Sequence, residues 1–199
     1  LPGSLQIGQG SMPIATERIF TNGELSQTGG NLDVAIQGAG FFQVQMPDGS
    51  LAYTRDGGFK TDSEGRVVTS DGYPVQGGFQ PVPSGITNIT SSASGAVTYT
   101  TSSGTTSSQI QLANFNNPGG LEALGHNLFK ETPASGTAQL GDPTQSGLGE
   151  LQQGYLELSN VSVVQEMVNL ILAQRAYEVN SKAVQAADQM MQDSNNLQR

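Results

Sequence analysis

The chain has 199 residues, enough for one or two domains with a sizeable core. It contains no Cys, which excludes disulfides, thiolate metal sites and a cysteine nucleophile. Eight Lys and Arg stand against 17 Asp and Glu, a net charge of −9 that sets the chain against nucleic acid and anionic lipid, whose binding draws on cations meeting phosphate. Apolar residues reach 35% and charged residues 13%, both low for a globular enzyme. The longest apolar run, "VNLILA", is too short to cross a membrane, so no membrane insertion is expected. Leu1 to Gly10 has neither the basic start nor the apolar stretch of a signal peptide. The chain opens without Met, so removal of something upstream is expected.

Three regions separate by composition. Residues 1–30 read as an extended connecting segment, 31–149 as an antiparallel β domain, and 150–199 as a connecting strand with a closing helix. The fold class is therefore mainly β with a long C-terminal α-helix. In "LDVAI" Leu32, Val34 and Ile36 alternate with Asp33 and Ala35. In "FFQVQM" Phe42, Val44 and Met46 alternate with Gln43 and Gln45. Period two predicts one buried and one wet face. Asp48-Gly49, Asp56-Gly57, Glu64-Gly65 and Asp71-Gly72 predict tight turns between strands, because Gly accepts positive φ and Asp bonds its own backbone. The Ser/Thr/Gly stretch from Gly85 to Ser108 predicts short edge strands, with Val97 and Tyr99 alternating inward. "IQLANF", Ile110 to Phe115, predicts a strand returning to the core, and Pro133 to Gly149 a linker into the last region.

Ser159 and Asn160 are the expected N-caps of a helix over Val161 to Met191. One apolar stripe runs through Val164, Val168, Leu172, Ala176, Val179, Ala183, Ala186 and Met190. A second, through Val163, Met167, Leu170, Tyr177, Val184 and Met191, is expected beside it. A helix on the surface of one domain needs only one stripe. A run of about 30 residues extends roughly 45 Å, longer than a small β domain is wide. The helix therefore reads as a coiled-coil-type assembly element with partners outside this domain. Its candidate assembly residues are Val164, Met167, Val168, Leu170, Ile171, Leu172, Arg175, Ala176, Tyr177, Val179, Ala183, Val184, Ala186, Met190 and Met191.

No chemistry rises above background. His126 is the single histidine, in a loop without a recognisable Ser or Asp pattern around it. Gly38-Ala39-Gly40 begins like a dinucleotide fingerprint but has no third Gly and no helix start. "DGGFKTDSEG" lacks the alternating ligands and terminal Glu of a calcium loop. No catalytic, metal or cofactor-binding residues are expected, and no cofactor.

The combination of "GFFQV", "AYTRDGGF", "SNV" and "QRAYEVNSKA" resembles the bacterial flagellar rod and hook protein family, over nearly the whole chain. "ATERIFTNGELSQT" and "NPGGLEALGHNLFKET" tilt the resemblance toward the branch that builds the distal rod. The resemblance implies a non-enzymatic structural subunit, exported through the flagellar secretion channel without a cleaved signal peptide. It implies a hollow helical homopolymer crossing the periplasm and carrying torque to the hook. Implied partners are further copies of the chain, other flagellar rod proteins, the hook protein and the ring bushings of the peptidoglycan and outer membrane. The family's N-terminal helix would precede Leu1. Other readings are a proximal rod or hook protein of the same family, and a secreted β-rich carbohydrate-binding or hydrolytic protein. The β region, 31–150, carries ten acidic and four basic side chains, and Asp48, Asp62 and Glu64 are candidates for an acidic surface facing the rings.

Overall fold

A computed structural model describes residues 20–82, 86–102 and 104–197. The expected connecting segment thus lies partly outside the described residues. Two compact units divide between Leu158 and Ser159, the second consisting of the closing helix and its approach. The boundary falls after the strands at 150–157 rather than before them, because those strands pair back into the β unit.

The β unit is built from strands β1 (Leu25–Gln27), β2 (Val34–Gln37), β3 (Phe42–Gln45), β4 (Leu51–Thr54), β5 (Lys60–Thr61), β6 (Val67–Val68), β7 (Ile86–Ser91), β8 (Ala96–Thr101), β9 (Gly104–Gln109), β10 (Leu112–Asn114), β11 (Glu122–Gly125), β12 (Leu128–Lys130), β13 (Gln139–Gly141), β14 (Glu150–Gln153) and β15 (Tyr155–Glu157). Every pairing among the described strands is antiparallel. A four-stranded sheet runs β11-β12-β4-β3, and a three-stranded sheet runs β7-β8-β9. Four ribbons, β1-β15, β2-β14, β5-β6 and β10-β13, complete the set. The early strands β1 and β2 thus pair with the last two, so the two ends of the unit meet.

The described part of the Ser/Thr-rich stretch forms strands with Val97 and Tyr99 alternating inward, as expected, but not only edge strands. β8 is the central strand of its sheet and drives Val97 and Tyr99 into the main core beside Val34, Ile36, Phe42, Phe59, Ile110 and Leu112. Burial of the Tyr99 ring pushes its phenol above the ordinary tyrosine range. The period-two expectation is wrong for the first strands. Val34, Ala35 and Ile36 are all buried, and so is Gln43 between Phe42 and Val44. Both faces are covered because two clusters lie on either side: Phe42 joins the main core, while Phe41 and Tyr53 stack with Phe115 in a second one. Gln43 stands directly across from Tyr53 on β4.

Residues 133–149 are packed structure rather than a linker. β13 pairs with β10, and Leu148 joins the main core. Ser135 is buried because its hydroxyl donates to the Thr132 carbonyl at 2.9 Å and accepts from the Thr132 amide. Three of the four expected Asx/Glu-Gly turns form, at Gly49, Gly65 and Gly72, each with positive φ. Asp56-Gly57 does not. It lies in the irregular strap between β4 and β5, where Gly57 passes against the backbone of Val34.

Candidate functional site

The closing helix, α1, runs Val163–Leu197. Its cap is Ser162 rather than Ser159 or Asn160. The Ser162 hydroxyl accepts from the Gln165 amide at 3.4 Å, and the Ser162 carbonyl accepts from the Glu166 amide at 3.0 Å. Ser162 and Gln165 have the spacing of a capping box, which fixes the start two residues later than expected. All fifteen candidate assembly residues lie on α1, and all are exposed. Val164 is 73% exposed, Leu172 59% and Tyr177 77%. Steps of about 100° per residue put Leu170 and Tyr177 roughly 140–160° from Leu172. The second stripe therefore lies nearly opposite the first, not beside it. Glu178, Lys182 and Gln189 lie between them on one side, where the exposed Ile171 shares the azimuth of Gln189, and Asn169 and Asn180 form the polar flank on the other.

Two opposed, bare apolar faces are the pattern of a helix covered from more than one direction. Each large aliphatic on them stands to gain about 1.5–3 kcal/mol when covered. An isolated helix is marginal without packing. In monomeric protein the α1 amides will exchange fast while those of β3 and β4 exchange slowly. Uniformly slow exchange would mean that the faces are already covered.

The acidic candidates sit in turns. Asp48, between β3 and β4, accepts from the Ser50 amide at 2.9 Å and the Ser50 hydroxyl at 2.6 Å. Asp62, between β5 and β6, accepts from the amides of Glu64 and Arg66 at 2.9 and 2.8 Å and from Arg66 Nε at 2.8 Å. These bonds hold both carboxyls below the ordinary aspartate range, chiefly through the side chains of Ser50 and Arg66 respectively. Both turns are fully held above that range and loosen as pH falls through the lowered values. Glu64, 68% exposed, reaches Arg66 Nη2 at 3.3 Å and bonds no turn amide. The three acids are thus not one free negative surface: two brace turns, and Arg66 neutralises part of the charge. His126 has a partner after all. Its Nδ1 lies 3.1 Å from Asp71 Oδ1, beside a groove of about 440 Å³ lined by Gln45, Met46, Arg66, Asp71 and Tyr73 among others. That groove contains one carboxylate, not the pair that hydrolysis of a glycoside requires.

One arrangement was missed in the sequence. Arg55, in the "TRDGG" strap after β4, is largely buried, with 15% of its side chain exposed. Its Nε donates to Glu157 Oε2 at 2.9 Å, Nη1 to the carbonyls of Gly38 and Gly40 at 3.0 and 3.2 Å, and Nη2 to the Ile36 carbonyl and Asn22 Oδ1, each at 3.2 Å. Gly38 and Gly40, which began like a nucleotide loop, instead turn their carbonyls to this guanidinium. Gly38 has φ +123° and would place a Cβ 2.7 Å from the Gly149 backbone. The signal available was an arginine set among glycines directly after a strand, since buried Arg is found only where it is paired.

A family model described as the flagellar hook protein FlgE/F/G D1 domain matches residues 35–99. Another, described as the C-terminal part of flagellar basal body rod FlgEFG proteins, matches residues 152–197. The flagellar basal-body rod protein FlgG of Buchnera aphidicola subsp. Acyrthosiphon pisum is 48% identical across 99% of this chain and 76% of its own length. The chain belongs to the flagellar rod and hook protein family. FlgG of Borreliella burgdorferi is also 48% identical, over 98% of this chain and 75% of its own length. The flagellar hook-basal body complex protein FlhP of Bacillus subtilis is 32% identical, over 96% and 73%. Set on these family matches, Arg55 falls in the first matched stretch and Glu157 in the second, so one ion pair ties the two together. All fifteen candidate assembly residues fall in the second.

Proposed function

We propose that the chain is a structural subunit of the flagellar basal-body distal rod, polymerising with copies of itself into a hollow helical shaft that transmits torque to the hook. The observation that carries the reading is α1: a long helix with two opposed bare apolar faces, in a chain about half identical to rod proteins named FlgG. A head-to-tail contact that does not close is what builds a helical tube, and it needs sticky faces in several directions. In this reading α1 packs with helices of neighbouring subunits. The shaft crosses the periplasm, joins other rod proteins below and the hook protein above, and turns inside the ring bushings. The subunit reaches its place through the flagellar secretion channel, without a cleaved signal peptide. Its role is mechanical rather than enzymatic.

The test is a cell lacking the gene. Its basal bodies, viewed by electron microscopy, should stop short of a complete rod and carry no hook, and restoring the gene should restore both. Swimming cells with complete rods would defeat the reading.

The acidic β unit suits a shaft that must turn in its bushing without sticking. Because Asp48 and Asp62 brace turns, Glu64→Lys is the variant that changes charge and leaves the turns intact. Rods carrying it should assemble and should bind isolated rings more tightly at low salt. The effect should fade as salt shortens the Debye length to about 8–10 Å and below. Unchanged ring binding at low salt would leave this charge as ordinary solubility charge.

A further inference from the structure

The geometry points to Arg55 as a positioning residue: with Glu157 it clamps the incoming and outgoing chain segments of the β unit together, and force between those segments and the β body passes through it. This rests on the rod reading only for where the force comes from. Four pieces of chain converge on the clamp. The incoming segment supplies Asn22 to Nη2, and Gly23, whose amide donates to Glu157 Oε1 at 2.9 Å. The outgoing strand β15 supplies Glu157, with both carboxylate oxygens engaged. The body supplies the carbonyls of Ile36, Gly38 and Gly40, and Arg55 itself extends from the end of β4.

The clamp sits at one end of the β1-β15 ribbon. Leu25 pairs with Glu157, and the Leu158 amide donates to the Glu24 carbonyl at 2.8 Å, just before the chain leaves the unit. Any pull or twist applied through the chain beyond Leu158, or through the segment before Asn22, reaches this end of the ribbon first. Two antiparallel strands of three residues each hold weakly on their own. Arg55 reinforces that end with a planar fork whose donors point three ways, a geometry no lysine reproduces. The guanidinium also stands 6.0 Å from the centroid of the Phe41 ring. Phe41 in turn meets Phe20 edge-on at 5.8 Å, so the incoming segment has an apolar anchor beside its polar one.

Hydrogen exchange on the 199-residue chain separates a clamp from general packing. Arg55→Lys keeps the charge and loses the fork. Exchange at Gly23, Leu158 and the β1 amides should rise about tenfold, while β3 and β4 stay within about twofold. Glu157→Gln should act on the same amides, and the double variant should fall short of the sum of the two singles, because they share the Arg55–Glu157 pair. Arg66→Lys, an exposed arginine in a turn, should leave those amides unchanged. Equal acceleration across β3 and β4 would make Arg55 an ordinary stabilising residue and overturn the clamp, as would no acceleration at all. In cells, Arg55→Lys should allow swimming in dilute medium and reduce speed at least about twofold in viscous medium, where torque through each subunit is greater. Full speed under load with a loosened ribbon would overturn the force path. A motile cell lacking the gene would overturn the rod reading instead, leaving the exchange result to decide the clamp.

Discussion

Cells carrying Leu172→Asp should export the subunit and complete no rods. Leu172 lies at the centre of the first α1 stripe, between Val168 and Ala176, and is 59% exposed in the isolated chain. In the monomer the substitution costs only the helix-propensity difference, about 0.5 kcal/mol. The β unit has no part in it, so the purified variant should keep its unfolding transition. On the proposed reading of α1 as an assembly helix, the same position is covered in the polymer. Each subunit then loses about 1.5–3 kcal/mol of apolar burial, and an unpaired carboxylate held away from water adds to the loss. A helical assembly repeats the penalty at every subunit, so nucleation fails before growth begins. Asn180→Asp is the control. It introduces the same charge on the polar flank shared with Asn169, roughly 80° from Leu172, and should leave rods complete. Swimming cells with Leu172→Asp would remove this stripe from the assembly core. Failure of both variants would mean that negative charge anywhere on α1, rather than loss of a seam, blocks assembly.

The reach of the sequence differs between the two units for a physical reason. α1 was legible because helical periodicity and the absence of Pro and Gly are local signals, carried entirely within the helix. Its cap was misread because Ser159, Asn160 and Ser162 all have the right chemistry, and only the backbone chooses among them. The opposed placement of the stripes was available from the 100° step but requires the angles to be counted. In the β unit, strand existence was legible at Phe42, Val97 and Leu112, where apolar residues recur in a turn-rich background. Burial on both faces was not. Gln43 reads as a wet position until Tyr53 is known to stand opposite it. Leu148, in a stretch of Pro, Gly and Ser, reads as linker until β13 brings it against Leu112. The clamp was hidden most deeply, since Arg55 and Glu157 are about a hundred residues apart and nothing local marks them as partners.

Gly57→Ala should cost the β unit more than substitution at the turn glycines Gly49 and Gly72, where an added Cβ meets nothing within 4 Å. A Cβ at Gly57 would sit 1.8 Å from the Val34 carbonyl oxygen and 2.7 Å from its carbon. No side-chain rotation relieves that contact, because both atoms belong to the backbone of β2, which is buried and paired with β14. The strap is also tied to β2 by the Val34 amide, which donates to the Gly57 carbonyl at 3.1 Å. Separating the two backbones therefore breaks a hydrogen bond and opens the main core at Val34 and Ile36. A loss of about 3 kcal/mol follows, the upper end of what overpacking costs. Gly49 gives the comparison. Its φ is +82° and its added Cβ meets nothing within 4 Å, so Gly49→Ala pays only for the left-handed conformation, about 1–2 kcal/mol. Chemical denaturation of the 199-residue chain reads both, as shifts of the unfolding midpoint at constant slope. The strap also carries Arg55 two residues before Gly57, so Gly57→Ala should additionally loosen the amides of Gly23 and Leu158 below the global unfolding limit. Equal, small shifts for the two alanine variants would mean that the strap yields freely. The glycine of "TRDGG" would then serve a turn, as its dipeptide suggests, and not the close passage of one backbone over another.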